Sequence, residues 1–347
     1  MEPSTALVVG TGLLGASVGL TLRSQGWEVA GWDPDSKSLH GALARGAIAQ
    51  ARDSADPDGS ELIVLAAPPA AVVDMLRKMT TDVLVTDVAG VKAPIVAAGS
   101  HLRHFVGGHP MAGGETSGPS LSSSALFHGA TWILTSDGAD PADLERLRNL
   151  VSSFGANPKV MTAVEHDAAV ARVSHLPHLL ATALVGLAQS DPAALGLAGG
   201  GFRDLTRIAA AESGWWAEIL FANAGPVGAT IDELEVALET WRRALESGDR
   251  TAVAEMLQTA RAARAGMSEH HAQVRVILLD RPGEIARVGH ALETSRVDVR
   301  DFQLRHGEHG GGGILTISVR PNSREALADA LRAQGFAVEA DGYGSNR

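Results

Sequence analysis

The sequence of 347 residues contains no cysteine, which excludes disulfides, thiolate metal sites and cysteine nucleophiles. No uninterrupted apolar run reaches the roughly 18 residues that a membrane-spanning helix needs. The N-terminus also lacks the basic region of a signal peptide, because Met1–Thr5 leads directly into an apolar segment. These absences predict a soluble, cytoplasmic protein that has no membrane as a partner.

Positive charge is scarce as well. Lysine and arginine total 29 against 40 acidic residues, and the net charge of -11 argues against nucleic acid as a partner. An anionic substrate would therefore need a local cluster of cationic side chains. The composition is 45% hydrophobic, which is enough for ordinary cores, and the length predicts two or three domains.

Up to about residue 160, short apolar runs alternate with helical segments. Strands that are separated by helices indicate crossover units, so we predict an α/β domain with a Rossmann-type, doubly wound parallel sheet. The predicted strands are Ala6–Val9, Glu28–Trp32, Leu62–Ala66, Val83–Thr86, Phe105–Val106 and Thr131–Leu134.

The middle of the chain contains no strand pattern and is predicted to be all-helical. Ala168–Leu187 is rich in alanine and leucine and is predicted to form a long helix that is interrupted at Pro177. Farther along, apolar residues recur at spacings of three and four and give a helix one apolar face. These residues are Ile231, Leu234, Leu238, Trp241 and Leu245.

The last 70 residues return to a mixed pattern, which predicts a ferredoxin-like βαββαβ module. Its predicted elements are Val274–Leu279, Gly283–Ser295, Val297–Leu304, Ile314–Val319, Ser323–Gln334 and Phe336–Val338. We therefore expect three domains: a dinucleotide-binding domain over 1–164, a helical domain over 165–270 and the terminal module over 271–343.

A glycine pattern of the dinucleotide-binding type follows the first strand. Gly10, Gly12 and Gly15 permit a tight turn and a close approach of pyrophosphate, and a helix opens with Leu13 and Leu14. Asp33 ends the second strand, where its carboxylate can accept from a ribose hydroxyl and would repel a 2'-phosphate. The pattern predicts NAD rather than NADP. The alternative is a glycine turn that only packs a helix on a strand.

The segment Leu65–Pro69 ends a later strand with residues that cannot continue a ladder of hydrogen bonds. Ala67 and Pro68 are predicted to turn the chain across the same crevice and to contact the cofactor. The alternative, that these two residues only end the strand, explains them equally well.

His109 follows the strand Phe105–Val106 within a glycine-rich segment. Ligands of an open parallel sheet bind beyond the carboxyl ends of its strands, and this is where His109 is expected. A histidine there can accept a proton from a substrate hydroxyl at neutral pH. Taken alone, a histidine in such a segment is more often structural.

Two further segments offer polar groups in the helical stretch. His175 and His178 are three residues apart and share a helix face, which fits core histidines, a partial metal site or an anion-binding face. No further ligands at suitable spacing are present, so no metal is predicted. Asp204 can cap a helix, and Arg207 would then extend from the first turn with a guanidinium suited to carboxylates.

The combination of these motifs resembles the prephenate/arogenate dehydrogenase family, and the resemblance extends to about Met267. The motifs are GTGLLG, HPMAGGE, SHLPH, GGGFRDLTRIA and the pair Trp215–Trp216. The resemblance implies a Rossmann domain, a helical domain that forms a homodimer, and NAD-dependent oxidative decarboxylation of prephenate to 4-hydroxyphenylpyruvate in tyrosine biosynthesis.

The same resemblance implies roles for individual residues. His109 would be the catalytic histidine, bonded to the substrate's 4-hydroxyl group. Arg207 would bind a substrate carboxylate while Asp204 orients the guanidinium. The other residues that would line the pocket are His175, His178, Glu115 and Trp216.

One position departs from the family pattern. The family usually has serine in an Asp-x-x-Ser-x-Lys segment, whereas Asp87–Lys92 has Gly90 there. The missing hydroxyl leaves arogenate and 4-amino-4-deoxyprephenate open as substrates, together with a non-catalytic sensor of NAD and an amino acid. A reductase of the 6-phosphogluconate or hydroxyacid type would carry a lysine on its helical domain, but no lysine occurs after Lys159.

The C-terminal module resembles an ACT domain, with Asp280–Gly283 as its strand-to-helix turn. Such domains commonly bind amino acids at their mutual interfaces. The resemblance implies tyrosine, the end product of the pathway, as a feedback ligand. The alternative is a module that only assists dimerisation.

Overall fold

The computed structural model describes residues 3–57, 59–113, 118–267, 272–279, 281–306 and 312–338. The chain divides into two compact units, one up to Val236 and the other from Ala237 onward. The division into three domains stays a prediction.

The first unit begins with alternating strands and helices, as predicted. Each predicted strand is present and differs by at most one residue at either end. The elements up to Met161 are β1 (Thr5–Val9), α1 (Leu13–Ser24), β2 (Glu28–Trp32), α2 (Ser36–Ala44), β3 (Gln50–Ala51), β4 (Leu62–Leu65), α3 (Pro69–Lys78), β5 (Leu84–Asp87), α4 (Ala93–Gly99), β6 (Phe105–Val106), β7 (Gly108–Pro110), β8 (Thr131–Thr135), α5 (Pro141–Ser153) and β9 (Asn157–Met161).

Among the described residues, six strands form one parallel sheet in the order β3-β2-β1-β4-β5-β6. Alternate residues of β1 point to opposite faces, so Ala6 and Val8 join one buried cluster while Leu7 and Val9 join another. Both faces of the sheet are therefore covered, which is the arrangement that a doubly wound parallel sheet requires.

The strand β8 lies outside this sheet, which corrects the sequence-based expectation. It pairs antiparallel with β7 and parallel with β9, in a separate sheet with the order β7-β8-β9. His109 therefore lies on the short strand β7, paired with Ile133, and not in a loop. The sequence did not predict β7 because three residues that include glycine and proline carry no strand pattern.

Helices make up the rest of the first unit. A capping box formed by Thr162 and Glu165 starts α6 (Ala163–Val170), which continues through a π-helical turn (Ala171–His175) into α7 (Leu176–Gln189). The predicted interruption of the helix at Pro177 is this π-helical turn, which ends two residues before the proline. Because proline has no N–H and its ring crowds the carbonyl four residues earlier, the preceding turn widens.

The helical run Ala163–Gln189 is long and apolar enough to pass a test for a membrane span by length and composition alone, among the residues described. That test is weak evidence, because core helices of soluble proteins pass it too. This run carries His166, Asp167 and His175, whose side chains are buried and hydrogen-bonded inside the first unit.

The remaining helices lead into the second unit. They are α8 (Pro192–Leu195), α9 (Gly200–Thr206), a 3₁₀ turn (Arg207–Ala210), α10 (Ser213–Ala222), α11 (Ala224–Glu246) and α12 (Arg250–Met267). The helix predicted from the spacing of Ile231 to Leu245 is α11, although Leu238 and Leu245 of its apolar face are exposed in the single chain.

The second unit ends in a small antiparallel sheet with the order β10-β12-β11. Its elements are β10 (Ala272–Leu278), α13 (Glu284–Ser295), β11 (Val299–His306), β12 (Gly313–Val319) and α14 (Arg324–Ala333). An antiparallel bridge joins Val338 to Val276 of β10. Alternate residues of β10 and β12 pack with Val288, Leu327 and Leu331 of the two helices in an apolar core.

Candidate active site

The glycine-rich turn joins β1 to α1, and two of its glycines are required by close contacts. Gly10 has φ +92, and a Cβ there would lie 2.3 Å from the carbonyl oxygen of Ala66. A Cβ on Gly15 would lie 1.9 Å from the carbonyl oxygen of Gly10. Any side chain at either position would therefore push the turn away from the strands.

The same turn leaves room for a ligand at its tip. Gly12 is the N-cap residue of α1, and a Cβ added there would meet nothing within 4 Å. Leu13 and Leu14 form the first turn of the helix, whose free amides and dipole favour an anionic group. The residues present thus fit the pyrophosphate of a dinucleotide.

Asp33 lies just after β2 and is bound to the glycine-rich turn. Its Oδ2 accepts hydrogen bonds from the Thr11 amide at 2.7 Å and the Thr11 hydroxyl at 3.2 Å, and its Oδ1 accepts from the Asp35 amide at 2.8 Å. A carboxylate offers about four lone-pair positions, so capacity remains for a ribose hydroxyl. Asp33 therefore shapes the turn, and its contact with a ribose stays a prediction.

Ala67 and Pro68 lie between the end of β4 and the start of α3. The preceding residue, Ala66, contacts both Gly10 and Gly15. The segment therefore does adjoin the glycine-rich turn, at the carboxyl end of the central strands. Contact of Ala67 and Pro68 with a cofactor stays a prediction.

A buried ion pair fixes the start of β7, which carries His109. Lys92 and Asp87 are fully buried and form a direct salt bridge. Lys92 Nζ also donates to the carbonyl of Gly108 at 2.7 Å, and Asp87 Oδ1 accepts from the Gly108 amide at 3.0 Å. The pair holds both backbone polar groups of the residue before His109, so it positions this histidine.

His109 is held in its neutral form by its surroundings. Burial lowers the pKa of its imidazole well below the ordinary value, and the neighbouring basic groups His166, Lys92 and His175 lower it further. Burial likewise lowers the pKa of Lys92, while Asp87 opposes that shift. A neutral histidine at pH 7 can accept a proton.

Sequence reasoning missed His166 and Asp167, which lie against His109. His109 Nδ1 and His166 Nε2 are 2.8 Å apart, and His166 Nδ1 lies 2.8 Å from Asp167 Oδ1. Both residues are on α6 and are almost completely buried. The signal available in the sequence was the pair His166–Asp167 in an otherwise apolar helix, which alone indicates no partner.

The structure brings His175, His178 and Trp216 together, as predicted. His178 stacks on the Trp216 ring at a centroid distance of 3.8 Å, and His175 meets the same ring edge-on at 6.1 Å. Burial lowers the pKa of His178, and burial chiefly lowers the pKa of His175 to about 4. Both imidazoles are therefore neutral at pH 7.

Asn223, also missed from the sequence, decides which nitrogen of His175 bears hydrogen. The Asn223 amide nitrogen donates to the Asp167 carbonyl at 2.9 Å, which fixes the orientation of the amide. The same nitrogen lies 3.0 Å from His175 Nδ1, which must then accept. Neutral His175 consequently carries its hydrogen on Nε2 and is a donor there.

Asp204 does not cap a helix, which corrects the sequence-based expectation. Gly199 is the N-cap of α9, because the run of three glycines begins the helix earlier, and Asp204 lies inside it. Arg207 starts the following 3₁₀ turn, which packs against α7, the helix of His178. Both side chains are exposed. Glu115, the remaining predicted pocket residue, lies outside the described residues.

Within the described ranges, no group of three His, Cys, Asp or Glu side chains is arranged to hold a metal ion. The polar cluster around His109 can instead accept a proton at one histidine and donate hydrogen bonds from another. Such a pairing suits a reaction in which a hydroxyl loses its proton beside a carboxylate.

Two family models match consecutive parts of the chain. Residues 18–160 match the nucleotide-binding domain of prephenate dehydrogenase, and residues 162–259 match its dimerization domain.

Two curated sequences are similar over nearly the whole length. NovF of Streptomyces niveus, named a probable prephenate dehydrogenase, is 32% identical over 94% of this chain and 97% of its own. The prephenate dehydrogenase of Bacillus subtilis is 28% identical over 94% of each. An alignment of this extent includes most of the C-terminal module.

Solved structures are similar over a shorter part. The prephenate dehydrogenase of A. aeolicus, in complex with hydroxyphenyl propionate and NAD+, has a TM-score of 0.72 at 28% identity and covers 77% of this chain and 99% of its own. An arogenate dehydrogenase of Synechocystis has a TM-score of 0.67 at 26% identity and covers 76% and 99%. About a quarter of this chain therefore has no counterpart in either structure.

Proposed function

This chain belongs to the prephenate dehydrogenase family, and we propose that it catalyses the NAD-dependent oxidative decarboxylation of prephenate to 4-hydroxyphenylpyruvate, a step of tyrosine biosynthesis. The observation that carries the proposal is the half-buried, neutral His109 just beyond the carboxyl end of β6 in a dinucleotide-binding sheet. The A. aeolicus relative, which binds NAD+ and a hydroxyphenyl acid, supports the same assignment.

The reaction divides among a few groups of this chain. When bound, NAD supplies the acceptor for the hydride that leaves C4 of the ring. His109 accepts the proton of the 4-hydroxyl group at Nε2, so that a carbonyl can form on the ring. Loss of carbon dioxide then makes the ring aromatic, which renders the reaction effectively irreversible.

Other residues bind and orient the substrate. His175 is positioned to donate from Nε2, and Arg207 supplies a forked guanidinium for a carboxylate. His178 and Trp216 form a stacked, half-buried wall against which a ring can pack. Holding the ring carbon beside the hydride acceptor supplies much of the rate enhancement in such reactions.

Asp33 supports NAD as the cofactor in preference to NADP. Its carboxylate is fixed by Thr11 and Asp35, so it cannot easily turn away from a group bound at the ribose position. A 2'-phosphate there would meet a fixed negative charge.

A second substrate class is favoured by one specific observation. Gly90 stands where the family usually has serine, and a Cβ there would lie 3.7 Å from His109 Nε2. The space beside the base would admit a 4-substituent other than hydroxyl, so 4-amino-4-deoxyprephenate is the alternative. Arogenate, which differs at the side chain, is a further candidate.

The test is a panel of prephenate, arogenate and 4-amino-4-deoxyprephenate, each with NAD and followed by absorbance at 340 nm. We expect the largest kcat/KM with prephenate. A protein that reduces NAD with none of the three would be a non-catalytic sensor, and the proposal would be wrong.

We further propose that the chain is a homodimer formed through its helical stretch. Several large apolar side chains on these helices are exposed in the single chain, notably Leu187, Leu205 and Phe221. Exposed apolar area of this kind is typical of a surface that another subunit covers. Light scattering should give twice the monomer mass of 35.9 kDa. A cytoplasmic location stays a prediction.

The C-terminal module is proposed to be an ACT domain that binds tyrosine as a feedback ligand. The strand order β10-β12-β11, with Val338 on the outer side of β10, is the order expected for a ferredoxin-like βαββαβ fold. Gly283, in the strand-to-helix turn, has φ +91 and supports the resemblance of that turn.

Truncation after Met267 tests the regulatory role. The solved relatives match 76% and 77% of this chain with 99% of their own length, so a chain of about their size is expected to fold and to remain active. Tyrosine should inhibit the full chain and leave the shortened one unaffected. An equal response of both proteins would refute the regulatory assignment.

A further inference from the structure

A continuous hydrogen-bonded chain runs from His109 through His166 to Asp167. Both links are 2.8 Å long, and the two members on α6 are at most 2% exposed. Asp167 is held at the far end by backbone amides, because Oδ1 accepts from Lys92 at 2.7 Å and Oδ2 accepts from Ala93 at 2.8 Å. Its carboxylate therefore cannot rotate away from His166.

We propose that His166 and Asp167 are positioning residues, which set the tautomer of His109 and stabilise the positive charge that it acquires. The proposal rests on the proposed function, in which His109 is the base. It assigns a purpose to two buried polar residues that the reaction does not otherwise use.

The tautomer follows from the far end of the chain. An ionised carboxylate only accepts hydrogen bonds, so the hydrogen of neutral His166 must be on Nδ1. His166 Nε2 is then a lone pair, and it accepts from His109 Nδ1. Neutral His109 consequently has its own lone pair on Nε2, the atom that lies beside Gly90. The lone pair of the base is thus on the nitrogen that is not bound to His166.

The charge follows the same path during the reaction. As the substrate's O–H bond breaks, the proton forms a bond to His109 Nε2, and the imidazole becomes a cation. Lys92 opposes that cation, and so would His166 and His175 if they were themselves protonated. Asp167 is a negative group that reaches the cation through neutral His166. The hydrogen-bonded chain His109–His166–Asp167, here called the relay, therefore offsets a positive charge on His109 that its other neighbours disfavour.

Asp167→Asn is the most informative change. The asparagine amide can donate to His166 Nδ1, which would move the hydrogen of His166 to Nε2 and that of His109 to Nε2. The lone pair facing the substrate would be lost. In a hydrolase triad the equivalent change lowers kcat by about 10⁴-fold, and here we expect kcat to fall on the order of 10³-fold with KM little changed.

His166→Gln separates orientation from charge. The glutamine oxygen can accept from His109 Nδ1, which keeps the tautomer, but it does not transmit the negative charge of Asp167. We expect kcat to fall on the order of tenfold, less than in Asp167→Asn. This variant also keeps the test open if Asp167→Asn disturbs the start of α4.

The matched control is Asp143→Asn. Asp143 Oδ2 lies 2.6 Å from His104 Nδ1, so the same chemical change is made in a histidine–aspartate pair of the same unit outside the site. It should leave kcat within twofold of the unmodified value. NAD affinity, measured by quenching of tryptophan fluorescence, should be unchanged in all three variants.

A spectroscopic measurement distinguishes the relay from a structural role. With ¹⁵N-labelled histidine, and with the His109 signals assigned from their absence in His109→Gln, Nε2 of His109 should be unprotonated in the full enzyme and protonated in Asp167→Asn. An unprotonated Nε2 in Asp167→Asn, or a kcat within threefold of the unmodified enzyme in that variant, would overturn the proposal. If His109→Gln itself keeps full kcat, the proposed function fails instead, since His109 would then not be the base.

Discussion

The two units of the chain place their charges in opposite ways. The first unit buries Lys92, Asp87 and Asp167 together with the three histidines His166, His175 and His178. Among the described residues of the second unit, Glu284 is the buried charged side chain, and pairs such as Arg332–Asp329 lie on the surface. The core of its β-sheet module is apolar.

Burial of a charge is costly, and it persists only where hydrogen bonds and partners compensate for it. The first unit retains this arrangement because a base must be held dry, neutral and in one orientation. The β-sheet module of the second unit has an apolar core, and Glu284 is the acid that it buries beside Arg287. This difference predicts that the chemistry is confined to the first unit, and the following experiments test that prediction.

The largest effect is expected from His109→Gln. The amide cannot accept the substrate's proton as an imidazole does, so kcat should fall by about a hundredfold or more while KM changes little. The matched change in the second unit is Glu284→Gln, which alters a buried acid that pairs with Arg287 at 3.0 Å. Steady-state kinetics should show a normal kcat for that control. A large loss of kcat in Glu284→Gln would contradict the prediction that the chemistry is confined to the first unit.

The next effect concerns stability and pH. His175 has a folded-state pKa of about 4, below the ordinary 6.5, so between these values the unfolded chain binds a proton that the folded chain does not. Its stabilising effect is complete above pH 6.5 and is lost as the pH falls towards 4. From these values the loss at pH 5 is about 2 kcal/mol.

Urea unfolding at pH 7.5 and pH 5 measures this effect. The difference in unfolding free energy between the two pH values should be smaller in His175→Gln than in the unmodified protein. The control in the second unit is His290→Gln, because His290 is largely exposed beside Glu293. That variant should keep the full pH dependence. An unchanged pH dependence in His175→Gln would show that His175 is not held neutral.

A smaller effect is expected at the cofactor site. Asp33→Ser removes a fixed carboxylate and should reduce the preference for NAD over NADP by about tenfold, chiefly because the KM for NAD rises. Asp35→Ser is the control, since it removes a charge two residues away while serine can still cap α2. Equal kcat/KM with both cofactors in the unmodified protein would contradict the assignment.

The sequence predicted those features that depend on local patterns. The strands and the glycine-rich turn carry period-two or glycine signals, and they form as expected. His175 and His178 share a helix face by spacing alone. In contrast, β9 includes Pro158 and lacks alternation, so nothing in the sequence indicated it.

The relay and its supports could not be predicted because they depend on long-range contacts. His166 is 57 residues from His109, and Asn223 is 48 residues from His175. Neither pair has a spacing rule that would bring it together. Asp87 and Lys92 both belong to the segment that resembles the family's Asp-x-x-Ser-x-Lys pattern. The burial of their ion pair and its hydrogen bond to Gly108 depend on the fold and could not be predicted.

The smallest expected change in kcat/KM is that of a substitution at Gly90. It tests whether this chain differs from its family in the substrate that it prefers. Gly90 has no positive φ, so a side chain causes no backbone strain there. A Cβ would meet His109 Nε2 at 3.7 Å and nothing closer. A serine hydroxyl, one bond farther out, can therefore reach hydrogen-bond distance from the base.

On prephenate, Gly90→Ser should raise kcat/KM by a few-fold at most, because one hydrogen bond contributes roughly 0.5–1.5 kcal/mol. Gly90→Ala is the control, since it adds the Cβ without the hydroxyl and should give no gain. Both variants are assayed on prephenate, arogenate and 4-amino-4-deoxyprephenate. If glycine instead makes room for a 4-amino group, serine should lower activity on the amino substrate and leave prephenate unaffected or improved. An unmodified enzyme that prefers prephenate, and loses most of that activity with serine, would contradict both explanations of the glycine.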